Sequence, residues 1–285
     1  MIEILTPGPL TLIQDLGRPG HAALGVGRSG AADAFSHRLS NRLVGNNEDA
    51  AALEMTLGGL TLRFHAAATI ALTGAPCPGR VNGRAVGMNS PVHVGSGATL
   101  QMGTPTSGLR TYLSVRGGIA VPLVLGSRST DMLSGLGPPP LAAGQQLPIG
   151  PPPPQWPLVD QAPTAPLSEQ PLLHLLPGPR IQWFHANALD VLTGAPYEVS
   201  PDSNRIALRL RGEPIQRTIR DELPSEGLVA GAIQVPADGQ PVLFLADHPA
   251  TGGYPVVAVI RDRDTYHAAQ VRPGHSVRFT LATPR

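Results

Sequence analysis

Four segments of the sequence combine glycine with polar side chains in patterns that could bind a small ligand. The first delivers Ser29 and Gly30 to the start of a predicted helix. Free N–H groups at a helix start, with Arg18 and Arg28 nearby in the sequence, suit a carboxylate or a phosphate. The alternative is ordinary capping by Ser29 or Gly30, with Asp33 complementing the helix dipole. The residues alone leave both interpretations open.

The second and third segments place an arginine beside a predicted strand. Arg116 is followed by Gly117 and Gly118, and paired glycines permit close approach of the backbone to a ligand. A turn that carries a solvated arginine is the somewhat favoured alternative. The third segment runs from Ser200 to Arg205 and is a polar loop that feeds the next predicted strand.

The fourth segment carries a carboxylate, an amide and a glycine-rich loop. Glu226 and Gln234 flank a predicted strand, and Thr251-Gly252-Gly253-Tyr254 forms a loop between two later strands. Together these groups could orient a small amide or carboxylate substrate. Hairpin turn chemistry alone explains the same pattern about equally well.

Composition excludes several other classes of chemistry. All 21 basic residues are arginine, which excludes a lysine Schiff base, a P-loop lysine and a lysine base. The nine histidines lack metal-pair spacing, so we expect no metal site, and the single cysteine, Cys77, is expected to be unreactive. The formal net charge of +1 and the lack of a long apolar run argue against nucleic-acid binding and a membrane span. The N-terminus has no signal-peptide pattern, and we expect a cytoplasmic protein.

The elements that must position these residues are mostly short strands. The chain has 33 glycines and 32 prolines with little helical periodicity, which favours strands joined by tight turns. The predicted strands cover residues 2–5, 10–15, 59–64, 69–73, 91–94, 98–102, 110–116, 172–176, 205–210, 228–235, 241–246, 256–260 and 276–280. Hairpin signals lie at 81–84 and 236–240, and helices are predicted over 31–44 and 262–270. The pattern predicts two antiparallel barrels or barrel-like sandwiches.

A proline-rich segment divides the chain. Residues 136–171 contain two proline runs that exclude a helix or a central strand, so a linker or surface strap is predicted between residues 1–135 and 172–285. Some short strings recur in both halves. Leu-Thr-Gly-Ala-Pro at 72–76 ends a predicted strand, whereas its copy at 192–196 follows helical spacing. The run 94–100 is predicted to be hairpin-like.

Ten short strings, taken in order along the chain, point to one family. They are Gln14–Gly20, Ser29–Asp33, Leu53–Glu54, Leu72–Ala75, Tyr112–Gly118, Gly126–Asp131, Ser203–Arg205, Glu226–Gly227, Gly231–Pro236 and Thr251–Pro255. From about residue 5 to 280 the chain closely resembles the family of 5-oxoprolinase C subunits. This family is also described as allophanate hydrolase subunit 2, Kip-type kinase-inhibitor antagonist and the carboxyltransferase domain of urea amidolyase.

The resemblance implies a mostly β protein with two cyclophilin-like β-barrel domains and a few short helices. It implies that the chain works with the A subunit of 5-oxoprolinase and with its B subunit, which resembles the Kip-type kinase inhibitor, to open 5-oxoproline to glutamate with ATP. Little or no activity is expected from the chain alone. The alternatives are a biotin-dependent carboxyltransferase module acting on urea or a similar amide, and a non-catalytic antagonist of a kinase inhibitor. Many members carry Lys or Arg after Gly-Gly-Tyr-Pro, where this chain has Val256.

The residues that the resemblance selects are predicted to line one cleft. The predicted catalytic residues are Asp33, Glu226 and Gln234. The predicted substrate-binding residues are Arg18, Ser29, Gly30, Arg116, Gly117, Gly118, Arg205, Thr251, Gly252, Gly253 and Tyr254. A small anionic amide needs a cation for its carboxylate, donors and acceptors for its lactam, and a carboxylate to handle a proton. Arg116 or the helix start would supply the first, Gln234 or Thr251 the second, and Glu226 or Asp33 the third.

Overall fold

The computed structural model describes residues 1–163 and 166–282, which form two compact units. The first unit comprises Met1–Arg18, Ser29–Asp131 and Gly135–Leu167, and the second comprises Pro19–Arg28, Met132–Ser134 and the chain from Ser168. Most of the proline-rich segment therefore belongs to the first unit, where residues 150–163 form neither helix nor strand. The domain boundaries drawn from the sequence at 135 and 172 stay a prediction.

The first unit is built from two antiparallel sheets around one apolar core. Its strands are β1 (Ile2–Pro7), β2 (Leu10–Gln14), β3 (Ala52–Thr56), β4 (Leu60–Phe64), β5 (Ala68–Gly74), β6 (Gly79–Val81), β7 (Arg84–Val86), β8 (Pro91–Val94), β9 (Thr99–Met102), β10 (Arg110–Val115) and β11 (Gln146–Leu147). One sheet has the order β11-β1-β4-β9-β6-β7, and the other has the order β2-β3-β10-β5-β8. Side chains from both sheets, such as Ile4, Phe64, Met55 and Leu113, belong to one buried cluster.

One helix covers part of the second sheet. Helix α1 (Ala34–Leu43) lies against β5 and β10. The sequence predicted a start at Ala31, but the carboxylate of Asp33 accepts the N–H of Ser36 and caps the helix, so the helical turns begin at Ala34. The face turned to the sheet is unusually polar, because Ser36, His37, Ser40 and Asn41 are all buried.

The second unit contains a closed barrel. Its strands are β12 (Leu172–Pro177), β13 (Tyr197–Val199), β14 (Ala207–Arg211), β15 (Glu226–Gly227), β16 (Ala232–Gln234), β17 (Val242–Phe244), β18 (Thr251–Gly252), β19 (Val256–Ile260) and β20 (Ser276–Leu281). Seven of them close in the order β12-β19-β16-β17-β14-β13-β20, and β15 and β18 form a separate two-stranded ribbon. Helices α2 (Ala188–Gly194) and α3 (Thr265–Ala268) are short.

The predicted fold class is confirmed, with the first unit as two sheets and the second as a barrel. The hairpin signals are also confirmed, because β6 pairs with β7 around Asn82-Gly83 and β16 pairs with β17. The two copies of Leu-Thr-Gly-Ala-Pro differ as predicted, since the first ends β5 and the second ends α2. None of the described helices has the length and apolar character that a membrane crossing needs.

Three local predictions were wrong. The run 94–100 is not a hairpin, because β8 pairs with β5 in one sheet while β9 pairs with β4 and β6 in the other. The strand predicted over 228–235 is shorter, since Gly231 has a φ of 85° and β16 starts after it. The helix predicted over 262–270 is a 3₁₀ turn at Asp262–Asp264 followed by the single turn of α3.

Candidate functional site

The first glycine-rich loop is held by the buried carboxylate of Asp15. Its Oδ1 accepts the N–H of Gly17 at 2.8 Å and the hydroxyls of Ser127 and Ser129 at 2.6 and 2.5 Å. Its Oδ2 accepts the N–H of Arg128 at 2.6 Å. These four hydrogen bonds hold the glycine-rich loop and the segment 127–129 together. The family string at 126–131 therefore acts here as a support for the loop.

The guanidinium of Arg18 is buried and hydrogen-bonded within the first unit. Its residue is 1% exposed, and its Nη2 donates to the carbonyl oxygen of Ser129. Its Nη1 lies 3.9 Å from Oδ2 of Asp131, and its Nε donates weakly to Val124 at 3.5 Å. These contacts make Arg18 a buried cross-link between two loops.

Ser29 and Gly30 shape the approach to α1. Ser29 is buried with a φ of 53°, and its hydroxyl donates to the carbonyl oxygen of Thr130 at 3.1 Å. Gly30 has a φ of 97°, and a Cβ there would lie 2.7 Å from the backbone nitrogen of Gly17. Only glycine tolerates both the conformation and the close approach.

The N–H groups of the two residues before α1, and that of Ser36 in its first turn, have partners within the protein. The N–H of Ala32 donates to Oε2 of Glu54 at 2.9 Å, and that of Asp33 donates to the Tyr112 hydroxyl at 2.8 Å. The carboxylate of Asp33 accepts both the N–H and the hydroxyl of Ser36, at 2.9 and 2.7 Å. These bonds correspond to the capping alternative. Asp33 is also only 1% exposed, so a catalytic role would require a substrate or water to reach a buried carboxylate.

A buried polar layer continues beneath α1. The Tyr112 hydroxyl donates to Oε2 of Glu54 at 2.7 Å, and Nε of Arg110 lies 3.6 Å from the same carboxylate. Burial raises the pKa of Tyr112 well above its usual value. Burial also lowers the pKa of His37 to about 4, so the imidazole is neutral at pH 7. The side-chain nitrogen of Asn41 lies 3.2 Å from Nε2 of His37. This buried polar layer stabilises the packing of α1 against the second sheet.

Arg116 binds the proline-rich strap, which we define as residues 149–157. Its Nη1 donates to the carbonyl of Val44 at 2.8 Å. Its Nη2 donates to the carbonyls of Pro153 and Gln155 at 2.5 and 2.7 Å. The residue is 8% exposed, which corrects the picture of a solvated arginine at a turn.

The two glycines after Arg116 allow the strap to pass close to the backbone. Gly117 has a φ of 99°, and a Cβ there would lie 2.2 Å from the carbonyl oxygen of Gly150. Gly118 has a φ of 69°, and its N–H donates to the carbonyl of Val115 at 2.8 Å. The Gly-Gly pair thus allows a close approach to another segment of the chain, and the predicted approach to a ligand stays a prediction.

In the second unit, Arg205 pairs with a carboxylate. Its Nε and Nη2 donate to the two oxygens of Asp247 at 2.9 and 3.0 Å, and both side chains are almost fully buried. The same carboxylate accepts the N–H of Met132 at 3.3 Å. This buried bidentate pair links the segment before β14 to the segment after β17.

Glu226 forms the second bidentate pair of this unit, with Arg180. Nε of Arg180 donates to the two carboxylate oxygens at 3.0 and 3.1 Å, and Nη2 donates to Oε1. The hydrogen bonds from Arg180 lower the pKa of Glu226 below its usual value. Both side chains remain about one third exposed. Glu226 is therefore an oriented, ionised carboxylate within reach of solvent.

The ribbon of β15 and β18 brings Glu226 close to the Gly-Gly-Tyr loop. Glu226 faces Gly252 across the ribbon, and Gly227 faces Thr251. Nε2 of Gln234 donates to the carbonyl of Tyr254 at 2.8 Å. A Cβ on Gly252 would lie 2.7 Å from Nε2 of Gln234, so the amide packs directly against the ribbon.

The structure thus brings Glu226, Gln234 and residues 251–254 together in the second unit. An ionised carboxylate beside an oriented amide and an exposed loop suits the binding of a small amide and the removal of a proton from an attacking water. Asp33 and Arg116 belong to the first unit, so the single cleft stays a prediction. Val256, at the position that carries a basic residue in many members, begins β19 and is 7% exposed.

Several hydrogen-bond partners of these residues were not predicted from the sequence. Arg180 lies 46 positions from Glu226, and Asp247 lies 42 positions from Arg205. No local pattern connects residues at such separations, although Asp247 lies only four residues before the string at Thr251–Pro255. Asp15 and Glu54 stood in such strings, but nothing marked them as acceptors of loop and helix N–H groups.

The metal and thiol predictions concern side chains elsewhere. Across residues 1–163 and 166–282, no three His, Cys, Asp or Glu side chains form a group that could hold a metal ion. Cys77 is buried, and its thiol donates to the carbonyl of Gly103 at 3.1 Å. Burial raises the pKa of Cys77, which disfavours the reactive thiolate.

Comparison with known proteins identifies the family to which this chain belongs. The family model described as carboxyltransferase domain, subdomain A and B, matches residues 24–281. The chain therefore belongs to the carboxyltransferase domain family. Within it, the chain is 39% identical to the C subunit of 5-oxoprolinase from Escherichia coli, over 98% of this chain and 90% of that protein.

Larger proteins contain a similar domain. The chain is 32% identical to urea amidolyase of Lachancea kluyveri, over 97% of this chain but 17% of that protein. The crystal structure of K. lactis urea amidolyase superposes with a TM-score of 0.92 at 32% identity, over 99% of this chain and 19% of that chain. The chain thus corresponds to about a fifth of these amidolyases.

Proposed function

We propose that this chain is the C subunit of an ATP-dependent 5-oxoprolinase, which opens 5-oxoproline to glutamate together with the A and B subunits in the cytoplasm. The observation that carries the proposal is the 39% identity to the C subunit of Escherichia coli 5-oxoprolinase over 90% of that protein. The amidolyase match is weaker, at 32% identity over a small part of a much longer chain. The B subunit is the Kip-inhibitor-like partner that the sequence implied.

The residues of the second unit suit the ring-opening step. In the proposed reaction water adds to the lactam carbonyl, the ring C–N bond breaks and the ring nitrogen takes up a proton. Glu226 would accept the proton of the attacking water, because its pKa is lowered by Arg180 and it is ionised at neutral pH. Gln234, oriented by the carbonyl of Tyr254, would hydrogen-bond the lactam. These roles make Arg180 a positioning residue.

The proposal assigns ATP to the assembled complex. Hydrolysis of ATP would drive the opening of the stable lactam, and the chain would contribute substrate groups to a site completed by its partners. Biotin enters only under the carboxyltransferase alternative. Because these 285 residues contain no lysine, any biotin attached to a lysine would reside outside them.

Reconstitution tests the proposal. The chain is co-expressed with the A and B subunits, and glutamate release from 5-oxoproline is measured with and without ATP. We expect ATP-dependent glutamate only when all three are present. Glu226→Gln should abolish it, whereas Glu222→Gln, at an exposed acid four residues earlier, should not. Full activity of the A and B subunits without this chain would contradict a catalytic role and favour the antagonist alternative.

A biotin-dependent carboxyltransferase is the second candidate. The family description and the TM-score of 0.92 with a urea amidolyase favour it. The same preparation is supplied with carboxybiotin and urea, and transfer of the carboxyl group is measured. Transfer to urea, with no glutamate from the complete set of subunits, would replace the first proposal with this one.

A further inference from the structure

A cavity of about 530 Å³ opens in the first unit beside Arg116. Its walls come from the β4–β5 turn at residues 66–69, from His93 on β8 and from the strap. The lining is mainly apolar, with Ile149 and Trp156 among its side chains. Concave apolar sites with a few convergent polar groups are the usual form of small-molecule sites.

The charge of Arg116 is the unusual feature of this cavity. Four arginines are buried in the described part of the chain: Arg18, Arg110, Arg116 and Arg205. Arg18, Arg110 and Arg205 lie 3.9, 3.6 and 2.9 Å from carboxylates. No carboxylate within residues 1–163 and 166–282 pairs with Arg116. A buried cation without a counter-charge is unfavourable, so an anion supplied from outside would relieve it.

Arg116 retains donors for such an anion. A guanidinium has five N–H donors, and three of them go to the carbonyls of Val44, Pro153 and Gln155. Two donors remain, one on Nε and one on Nη1. They point to opposite sides of the guanidinium, so a carboxylate accepts one of them in a single charge-assisted hydrogen bond. The guanidinium carbon lies 4.1 Å from the centroid of the Trp156 ring, so the strap fixes the plane of the fork.

The other walls of the cavity suit the carbon skeleton of a small organic molecule. Trp156 is 59% exposed, although its ring centroid lies only 6.0 Å from that of His93. Nδ1 of His93 is 3.0 Å from the hydroxyl of Thr69, which orients the imidazole. A ligand in the cavity would contact an apolar surface, with the His93 ring as a second polar group.

We propose that this cavity binds a small organic carboxylate, which accepts one of the two remaining N–H groups of Arg116 and packs its carbon skeleton against Trp156 and Ile149. The carboxylate class follows from the cavity and from Arg116. Only the choice of 5-oxoproline as the first probe rests on the proposed function. Binding at this place makes the strap part of a ligand site.

Trp156 provides the readout. The sequence has two tryptophans, so Trp183→Phe leaves Trp156 as the only one and as a fluorescent reporter beside Arg116. The chain in this background is titrated with 5-oxoproline and with its uncharged carboxamide, which keeps the ring and lacks the charge. We expect a saturable change of Trp156 emission with the acid and binding at least about tenfold weaker with the amide.

Two variants test the location. Arg116→Gln should weaken the acid by at least about tenfold and the amide little, because the charge is lost. Ala67→Phe adds bulk to the exposed turn that lines the cavity and leaves Arg116 in place, so it should block both ligands without unfolding the chain. If Arg116→Gln also displaces the strap, weaker binding by that variant has two explanations. Ala67→Phe then tests the location of the site, because it leaves Arg116 and its contacts in place.

Equal binding of acid and amide, or no saturable change in Trp156 emission, would overturn the inference. Binding that is unaffected by Ala67→Phe would also overturn it. The outcomes separate this inference from the proposed function. If 5-oxoproline binds as described but the complete complex forms no glutamate, the reaction is wrong and the cavity stands. If glutamate forms at the normal rate with Ala67→Phe and Trp156 emission does not respond, the cavity alone is wrong.

Discussion

Replacement of Asp33 tests whether this carboxylate supports α1 or takes part in chemistry. Its two oxygens accept the N–H and the hydroxyl of Ser36, and the residue is 1% exposed. Asp33→Ala removes the N-cap, which costs about 1 kcal/mol. It also leaves the hydroxyl of Ser36 without an acceptor in a buried place, which costs about 1–2 kcal/mol more.

The total for Asp33→Ala is therefore about 2–3 kcal/mol. For a domain of this size, about 1 kcal/mol corresponds to a change of about 2–4 °C in Tm, so we expect Tm to fall by about 5–10 °C. Asp33→Asn keeps one acceptor oxygen for the helix N–H and should lower Tm by less than half of that amount. Thermal unfolding of the chain followed by circular dichroism measures both changes.

Activity of the reconstituted complex then separates the two roles. If Asp33 only caps the helix, Asp33→Asn retains most of the glutamate release at a temperature where the chain is folded. If Asp33 acts on substrate or water, Asp33→Asn removes activity while Tm stays close to that of the wild type. That second result would refute the assignment of Asp33 to capping.

Three further predictions concern pairs and burial. Arg180→Ala should raise the pKa of Glu226, because the hydrogen bonds that lower it are lost; the acid limb of the pH–rate profile should move to higher pH, and Arg180→Lys should restore it in part. Arg205→Ala removes the bidentate guanidinium partner of the buried Asp247 carboxylate and should lower the free energy of unfolding by about 3–5 kcal/mol in urea titrations. Burial lowers the pKa of His37 from 6.5 in the unfolded chain to about 4 in the folded chain. As the pH falls, the unfolded chain therefore takes up this proton at a higher pH than the folded chain, which favours unfolding. The free energy of unfolding should therefore fall by up to about 3 kcal/mol as the pH drops from 6.5 to 4, and His37→Gln should flatten that dependence.

The strand pattern was predictable where one face of a strand is buried and its ends carry turn residues. The hairpin at Asn82-Gly83 is an example, since both residues have positive φ and the turn forces the chain back on itself. Strand β3 was missed because it has no alternation: Ala52, Leu53, Glu54 and Met55 are all buried. Its glutamate is tolerated because the N–H of Ala32 and the hydroxyl of Tyr112 supply donors from other parts of the chain.

The candidate site was predictable as a set of strings, and its contacts were not. Glu226 and Gln234 were selected with the 251–254 loop, and the ribbon of β15 and β18 does bring them together. The role of Arg116 depends on a strap about 40 residues later in the chain, whose path no local pattern defines. Whether a polar residue faces a ligand or stabilises the fold depends on partners that are distant in the sequence.

Glutamate formation by the three-component preparation is the most direct test of the proposed function. The A and B subunits are assayed with 5-oxoproline and ATP in the presence of this chain, of its Glu226→Gln variant or of its Glu222→Gln variant. We expect glutamate with the wild type and with Glu222→Gln, and none with Glu226→Gln although circular dichroism shows that it is folded. Glutamate released at the wild-type rate with Glu226→Gln would contradict the account.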